Sequence, residues 1–296
     1  MDKKKGFKLK GLTSSIKGQL AVTMIAVVAI PLLIVIIVSA AMTRSKSLQD
    51  IDDYNTAKAE AIESHIASVL DQNVKALQAF AAAPSTIMFV ETANGTSDNP
   101  ADLSADILKN MQTIDQSLND GNITIISGAK GMQILRSDGG DLVDMSDKEN
   151  YQKGMAGTIY VSNLQVAAGG DLICNFTVPI YDNSGSKVVG IAQRNYKLAD
   201  FHDILASEVY EDRHEIVIVD RNGDVLAHSG HLVDPNNLES QAGNPFYTDS
   251  RGDVNEGAYK SVWQGDTWII SWVKEPNTGW VVASCRVQGV AMHSFS

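Results

Sequence analysis

The chain has 296 residues, of which 24 are Lys or Arg and 35 are Asp or Glu, so its formal net charge is −11. An acidic chain of this kind lacks the basic surface that nucleic-acid binding needs, which excludes nucleic acid as a partner. Its length suffices for one large domain or for two domains of ordinary size.

The first predicted element is an uncharged apolar run at residues 18–43. It exceeds the roughly 20 residues that a helix needs to cross a bilayer, and Pro31 is tolerated within such a helix. Six lysines precede the run and Asp50, Asp52 and Asp53 follow it, which places the N-terminus in the cytoplasm. We predict a single-pass helix in the cytoplasmic (inner) membrane, a cytoplasmic tail at 1–17 and an extracytoplasmic remainder. The alternative is a cleaved signal peptide ending near Ser39, although the run is longer than the usual h-region.

Residues 44–83 predict one long helix. No Gly or Pro occurs between residues 46 and 82, apolar side chains recur near helical spacing, and Pro84 ends the pattern. The apolar stripe of this helix has two interpretations. It packs on the core of its own domain, which we favour for the half farther from the membrane, or it pairs with a second copy as a homodimer stalk.

Residues 84–200 predict a first lobe that combines helices with antiparallel strands. A loop at 94–100 is followed by helical spacing over residues 101–118. Strands separated by turn sequences follow at 123–127, 132–136, 171–180 and 187–198.

Residues 201–288 repeat this pattern as a second lobe, ahead of a tail at 289–296. Helical spacing over 198–211 precedes strands at 214–220, 224–228, 258–263, 267–274 and 280–287. Cys174 and Cys285 lie in separate predicted strands, so we expect buried free thiols rather than a disulfide or a metal pair. The predicted fold class is α+β, with a transmembrane helix, a long stalk helix and two antiparallel-sheet lobes in tandem.

Catalytic and metal-binding motifs are weak. Residues 220–224 resemble a calcium loop, but Val225 occupies the position that needs Gly and His231 the position that needs a bidentate Glu. His228 and His231 lack further zinc ligands nearby in sequence. The chain contains no nucleophile elbow, P-loop or dinucleotide fingerprint. We therefore predict that the chain is not an enzyme and uses no cofactor and no metal.

Several stretches resemble the double Cache sensor, an extracytoplasmic module of bacterial chemoreceptors, sensor kinases and cyclic-dinucleotide enzymes. The matching stretches are DMSDKENY at 144–151, GTIYVS at 157–162, VPIYDNSG at 178–185, VVGI at 188–191 and IVIVDRNGDVLAH at 216–228. The resemblance implies two PAS-like lobes. The membrane-distal lobe, 84–200, binds a small molecule, and the membrane-proximal lobe, 201–288, passes the change onward in signal transduction such as chemotaxis.

The resemblance also implies which residues contact the ligand. In members that sense amino acids, an Arg and two aromatic residues on the pocket helix hold the carboxylate, and an Asp on the last long strand holds the ammonium. The matching positions here are Lys148, Asn150, Tyr151 and Asn195. Asp144, in the same motif as Lys148, and Gln165, in the following loop, complete the candidate set.

The differences from the family pattern change the expected ligand. Lys148 still attracts an anion but lacks the bidentate fork of Arg. Asn195 carries no charge to balance a buried ammonium. A free α-amino acid is therefore disfavoured, whereas a carboxylate, a sugar acid or a neutral polar metabolite fits. Each residue also has a structural interpretation: Lys148 as a solvated helix residue, Tyr151 as a core aromatic and Asn195 as a strand-edge residue.

Two functional hypotheses follow. The first is a membrane-anchored sensor of a small polar ligand, chemoreceptor-like but without a cytoplasmic output domain. The resemblance implies a further span and a signalling region after the second lobe, and 289–296 cannot span a bilayer. The chain would then be either part of a receptor or a stand-alone sensor that acts through a separate signalling partner. The second hypothesis is a ligand-free envelope adaptor that uses the same fold to bind a protein.

Overall fold

The computed structural model describes residues 16–95, 103–167, 169–209, 213–263 and 265–294. Most of the predicted cytoplasmic tail, most of the loop predicted at 94–100 and the start of the helix predicted at 101–118 lie outside the described residues. By contact density the chain divides into two compact units, residues 52–291 and residues 1–51 with 292–296.

A single long helix, α1, runs from Ile16 to Ala81, with Pro31 inside it. Its most apolar stretch of 18 residues has a mean hydropathy of 3.1 and no buried residue, and α1 is the one helix in the described part of the chain that is long and apolar enough to cross a membrane. The helix ends three residues before Pro84, which begins the short helix α2, Pro84–Ala93. Proline cannot continue a helix but fits its first turn, so the predicted end of the long helix is confirmed.

The second half of α1 packs on the core of the larger unit. Its buried apolar side chains recur every three to seven residues along one stripe: Ala59, Ile62, Ile66, Leu70, Leu77 and Phe80. Burial of this stripe confirms intramolecular packing for the half farther from the apolar run.

The first lobe contains one antiparallel sheet. Helix α3, Ser104–Leu118, precedes it, and helix α4, Glu149–Met155, lies within it along the chain. Its strands are β1 (Ile123–Gly128), β2 (Gln133–Arg136), β3 (Tyr160–Val161), β4 (Gln165–Val166), β5 (Leu172–Tyr181) and β6 (Val188–Lys197). The strand order is β2-β1-β6-β5-β3, and β4 pairs with β5.

The second lobe repeats this arrangement. Helix α5, Ala199–Ser207, precedes a sheet built from β7 (His214–Val219), β8 (Val225–His228), β9 (Glu256–Trp263), β10 (Asp266–Lys274) and β11 (Val281–Val287). The strand order is β8-β7-β11-β10-β9. Helix α6, Pro245–Ser250, lies between β8 and β9 in sequence, and helix α7, Gln288–Ser294, follows β11. The predicted α+β class and the two tandem sheets are confirmed, whereas α2, α6 and α7 were not predicted.

Each sheet is covered on both faces. One face contributes to a core cluster shared with α1 and α5, including Phe176 and Tyr196 of the first sheet and Ile218 and Val282 of the second. The opposite faces carry α4 in the first lobe and α6 in the second. Cys174 and Cys285 are both free cysteines; Cys174 is buried, as predicted, whereas Cys285 is only partly buried.

Candidate functional site

Helix α4 lies unusually close to one face of the first sheet. A Cβ atom on Gly154 of this helix would lie 2.6 Å from Cγ2 of Ile191 and 2.8 Å from Cγ2 of Thr177. Real Cβ atoms do not approach so closely, so only glycine permits this spacing between α4 and strands β5 and β6. The space between helix α4 and the sheet is therefore narrow.

The sheet face beneath α4 carries polar side chains at alternate positions of two adjacent strands. Asn175 and Thr177 lie on β5, and Gln193 and Asn195 lie on β6. The register pairs Asn175 with Asn195 and Thr177 with Gln193. Directly paired residues point to the same face of a sheet, so these four side chains form one polar patch.

Amide groups link this patch to α4 and to β4. Asn150 of α4 donates from Nδ2 to Oε1 of Gln193 at 3.4 Å, and Nε2 of Gln193 donates to Oδ1 of Asn195 at 3.4 Å. Asn175 donates from Nδ2 to Oε1 of Gln165 at 2.7 Å. The structure thus brings three predicted site residues, Asn150, Asn195 and Gln165, together with Gln193 and Asn175 as two neighbouring hydrogen-bonded groups, which we call the amide network.

The network contains buried polar atoms without a hydrogen-bond partner among the described residues. They are Oδ1 of Asn150, Oδ1 of Asn175 and Oγ1 of Thr177, and Oγ of Ser127 on β1 lies on the same face. A buried polar group without a partner costs about 1–3 kcal/mol. Four such atoms on one sheet face form a surface that could hydrogen bond to a polar ligand.

The remaining predicted site residues lie beside this network. Tyr151 is 6% exposed, packs against Ile191 and donates from its hydroxyl to the carbonyl of Gly128 at 3.0 Å. Burial raises the pKa of this hydroxyl. Tyr151 therefore holds α4 against the edge of the sheet, as its structural interpretation predicts.

Lys148 and Asp144 lie on the exposed approach to α4. Lys148 is the residue that precedes the helix, and its Nζ lies 3.5 Å from Oδ2 of Asp147. Asp144 accepts a hydrogen bond from the backbone N–H of Ser146 at 2.8 Å, which lowers the pKa of its carboxyl group. Neither side chain joins the amide network in the described structure.

Sequence reasoning missed Gln193, Asn175, Thr177 and Ser127. The signal was present as polar residues two positions apart, at 175 and 177 in an otherwise apolar strand and again at 193 and 195 on either side of Arg194. Strand periodicity indicates a common face for each pair. The register between β5 and β6, which brings the two pairs together, is visible only in the fold.

The opposite face of β6 carries a buried guanidinium. Arg194 has no exposed side-chain surface and forms ion pairs with Asp115 of α3 and with Asp120, the latter at 2.7 Å. Its Nε donates to Oδ1 of Asn73 in α1 at 2.9 Å. Strand β6 therefore connects the amide network on one face with helix α1 on the other.

A second connection joins the two lobes. Arg221, in the turn between β7 and β8, donates from Nη2 to the carbonyl of Val161 at 2.7 Å and to the Tyr160 hydroxyl at 3.0 Å. Its Nε donates to Oδ1 of Asn163 at 2.9 Å. The turn that superficially resembled a calcium loop thus docks on the β3–β4 segment, which also carries Gln165 of the network.

Metal binding has no support in the structure. Across residues 16–95, 103–167, 169–209, 213–263 and 265–294, no group of three or more His, Cys, Asp or Glu side chains is arranged to hold a metal ion. The side chains of the network are neutral amides and hydroxyls, which are able to donate and accept hydrogen bonds.

Comparison with known proteins identifies the family of the chain. A family model described as a Cache domain (dCache_1) matches residues 39–291. The comparison with curated proteins returns no significant match.

Solved structures share the fold at low sequence identity. The sensory domain of the Campylobacter jejuni chemoreceptor Tlp3 with isoleucine bound is 14% identical, with 84% of this chain and 98% of that chain covered and a TM-score of 0.62. The ligand-binding domain of the Pseudomonas aeruginosa PAO1 amino-acid chemoreceptor PctC in complex with GABA is 19% identical, with 80% and 99% covered and a TM-score of 0.59. The extracellular domain of the putative histidine kinase rpHK1S-Z16 is 13% identical, with 86% and 97% covered and a TM-score of 0.56. Because the family model spans most of the chain and the two tandem sheets match these sensory domains, the protein belongs to the double Cache family of sensor domains, as the sequence motifs predicted.

Proposed function

We propose that the protein is a membrane-anchored extracytoplasmic sensor that binds a small polar metabolite in its first lobe, residues 84–200. The observation that carries this proposal is the buried amide network beneath α4, with its unpartnered oxygen atoms. Two comparisons support the proposal: the match to the Cache family, and the solved relatives that bind small molecules.

The chemistry of the network favours a neutral or anionic ligand. Two of the relatives named above, the chemoreceptor domains of Tlp3 and PctC, were solved with isoleucine and with GABA, each of which carries an ammonium group. The side chains of this network are amides and hydroxyls, and they offer no carboxylate to balance a buried ammonium. We therefore propose a carboxylate, a sugar acid or a neutral polar metabolite, with Lys148 as the cation at the entrance and Asn150, Asn195 and Gln165 as hydrogen-bonding partners.

The apolar run 18–43 supplies the membrane anchor of this proposal. The lysine-rich start of the chain supports a cytoplasmic N-terminus, and the lobes then lie outside the inner membrane. Ligand binding to Asn195 and Gln193 displaces β6, and Arg194 passes that displacement to Asn73 of α1. In the same proposal, Gln165 and the Arg221 contact couple the first lobe to the second lobe, residues 201–288.

A thermal-shift screen tests the binding site. The full-length chain in detergent is screened against organic acids, sugars, sugar acids, amino acids, purines and polyamines, because a ligand of the folded state alone raises the unfolding midpoint. A hit is then measured by calorimetry on Asn195→Ala and Lys148→Ala. We expect Asn195→Ala to weaken binding about tenfold or more, since a hydrogen bond to a buried partner is lost.

Matched controls exist on the same lobe. Asn183→Ala removes an exposed turn amide, and Lys153→Ala removes an exposed lysine of α4 itself. Both controls should bind as the unchanged protein does. Binding that is equal in Asn195→Ala and Asn183→Ala, or a silent screen with a cooperatively folded protein, would reject the ligand site and favour the adaptor hypothesis.

A further inference from the structure

The second lobe contains a cavity of about 520 Å³ that the proposed function does not use. Its volume lies within the roughly 300–1,000 Å³ typical of small-molecule sites. The cavity opens on the sheet face covered by α6, where Phe246, Trp268 and Ile270 contribute to the wall. Helix α6 covers the second sheet as α4 covers the first, so the cavity is the second lobe's counterpart of the amide network.

Two carboxylates line this cavity, each beside a histidine. His231 donates from Nε2 to Oε1 of Glu239 at 2.7 Å, and Nε2 of His228 lies 3.7 Å from Oε2 of Glu215. The two imidazole rings stack with their centroids 4.2 Å apart. The neighbouring histidine also holds the pKa of Glu215 below its ordinary value, so this carboxylate is ionised at neutral pH.

The histidines balance these acidic charges only in part. The backbone N–H of Gly230 donates to Nδ1 of His228 at 3.0 Å, so this nitrogen acts as a hydrogen-bond acceptor. Stacking of the rings also disfavours two simultaneous positive charges. The cavity wall formed by Glu215, Glu239 and the histidines therefore has a net negative charge.

Tryptophans form another wall. Trp263 and Trp268 have ring centroids 5.9 Å apart, and Trp263 is 55% exposed at the mouth although it is a large apolar side chain. Trp268 is 5% exposed, and its indole N–H has no hydrogen-bond partner among the described residues. The Arg213 guanidinium lies over the Trp268 ring, 5.9 Å from its centroid, and pairs with Asp266.

Negative charge beside indole faces is the combination that binds organic cations. The face of a tryptophan ring attracts an ammonium group, and a carboxylate balances its charge. The buried indole N–H additionally requires an oxygen acceptor. We propose that this cavity is a second ligand site of the protein, which binds a small ammonium compound that carries a hydroxyl or carboxyl oxygen.

Intrinsic fluorescence tests this proposal independently of the first lobe. The chain has four tryptophans, at 263, 268, 272 and 280, and all of them belong to the second lobe. The full-length chain in detergent is titrated with choline, ethanolamine and glycine betaine. 3,3-Dimethylbutan-1-ol serves as the uncharged isostere of choline. We expect a saturable fluorescence change with at least one ammonium compound and none with the isostere.

Variants locate the site within the second lobe. Glu239→Gln keeps the shape of the side chain and removes its charge, and it should weaken binding about tenfold to a hundredfold. Glu256→Gln, at an exposed acid of β9, is the matched control and should leave the affinity unchanged. Asn183→Ala, which removes an exposed turn amide of the first lobe, should also leave it unchanged.

Three results would overturn the proposal. They are equal binding of choline and its uncharged isostere, equal affinity of Glu239→Gln and Glu256→Gln, and the lack of a saturable change with all three ammonium compounds at millimolar concentration. Circular dichroism of Glu239→Gln confirms that a loss of binding does not come from unfolding.

Discussion

The buried guanidinium of Arg194 should be among the most sensitive positions for stability. Replacement by Met keeps a similar length but leaves Asp115 and Asp120, whose side chains are only 17% and 14% exposed, without their cation. Removal of one partner from a buried ion pair costs about 3–5 kcal/mol. The hydrogen bond to Asn73 in α1 is lost as well. We therefore expect Arg194→Met to lower the free energy of unfolding by about 3–5 kcal/mol.

Thermal and urea unfolding of the full-length chain in detergent measure this effect. In a unit of this size, each kcal/mol lowers the unfolding midpoint by roughly 2–4 °C, so Arg194→Met should lower it by roughly 6–20 °C. The unfolding midpoint of Arg194→Lys should lie between those of the unchanged protein and Arg194→Met, because an ammonium group cannot reproduce the planar guanidinium that reaches several partners. A double variant with Asp120→Asn should be less destabilised than the sum of the single variants.

Arg136→Met is the matched control. Its guanidinium pairs with Asp138 near the surface, in a turn after β2, and exposed pairs contribute up to about 1 kcal/mol. A loss at Arg194 no larger than the loss at Arg136 would refute the argument that burial makes this ion cluster a structural link between β6 and α1.

Three further changes test other parts of the structure. Gly154→Ala should cost about 1–3 kcal/mol in urea unfolding and weaken ligand binding, because its methyl group collides with Ile191; an unchanged midpoint would show that α4 can move away freely. Burial lowers the pKa of His214 from 6.5 to about 4, so the unfolded state binds more protons than the folded state between these two pH values. The free energy of unfolding should therefore fall by up to about 3 kcal/mol as the pH drops through that range. A His214→Gln variant with the same pH profile would contradict this. Arg221→Ala should lower stability by about 1–3 kcal/mol through loss of the Tyr160 and backbone contacts and should separate the unfolding of the two lobes; a single transition with an unchanged midpoint would argue against coupling through this turn.

Elements whose determinants are local could be predicted from the sequence. The long helix follows from a run without Gly or Pro and from an apolar stripe at helical spacing, and its end follows from Pro84. The β1–β2 and β7–β8 hairpins follow from apolar runs separated by turn residues. The family motifs combined these local signals into the order of a double Cache sensor, which the family model confirms.

Short helices escaped the same reasoning. Helix α6 has six residues and α2 has ten, and such lengths are too short for a clear helical period. Isolated helices of this length are marginal in water and depend on tertiary packing. Phe246 of α6 is buried against the second sheet, and this contact rather than local propensity stabilises the helix.

The sequence alone determined the α+β class, the apolar run and the candidate positions at Asn150, Tyr151 and Asn195. Only the tertiary structure decided what these residues contact. The network requires the β5–β6 register, which pairs Asn175 with Asn195, and the close approach of α4 that Gly154 permits. Register and helix position depend on contacts between residues distant in the sequence, whereas periodicity and turn chemistry depend on neighbours, so a single sequence reveals the elements but not the site they form.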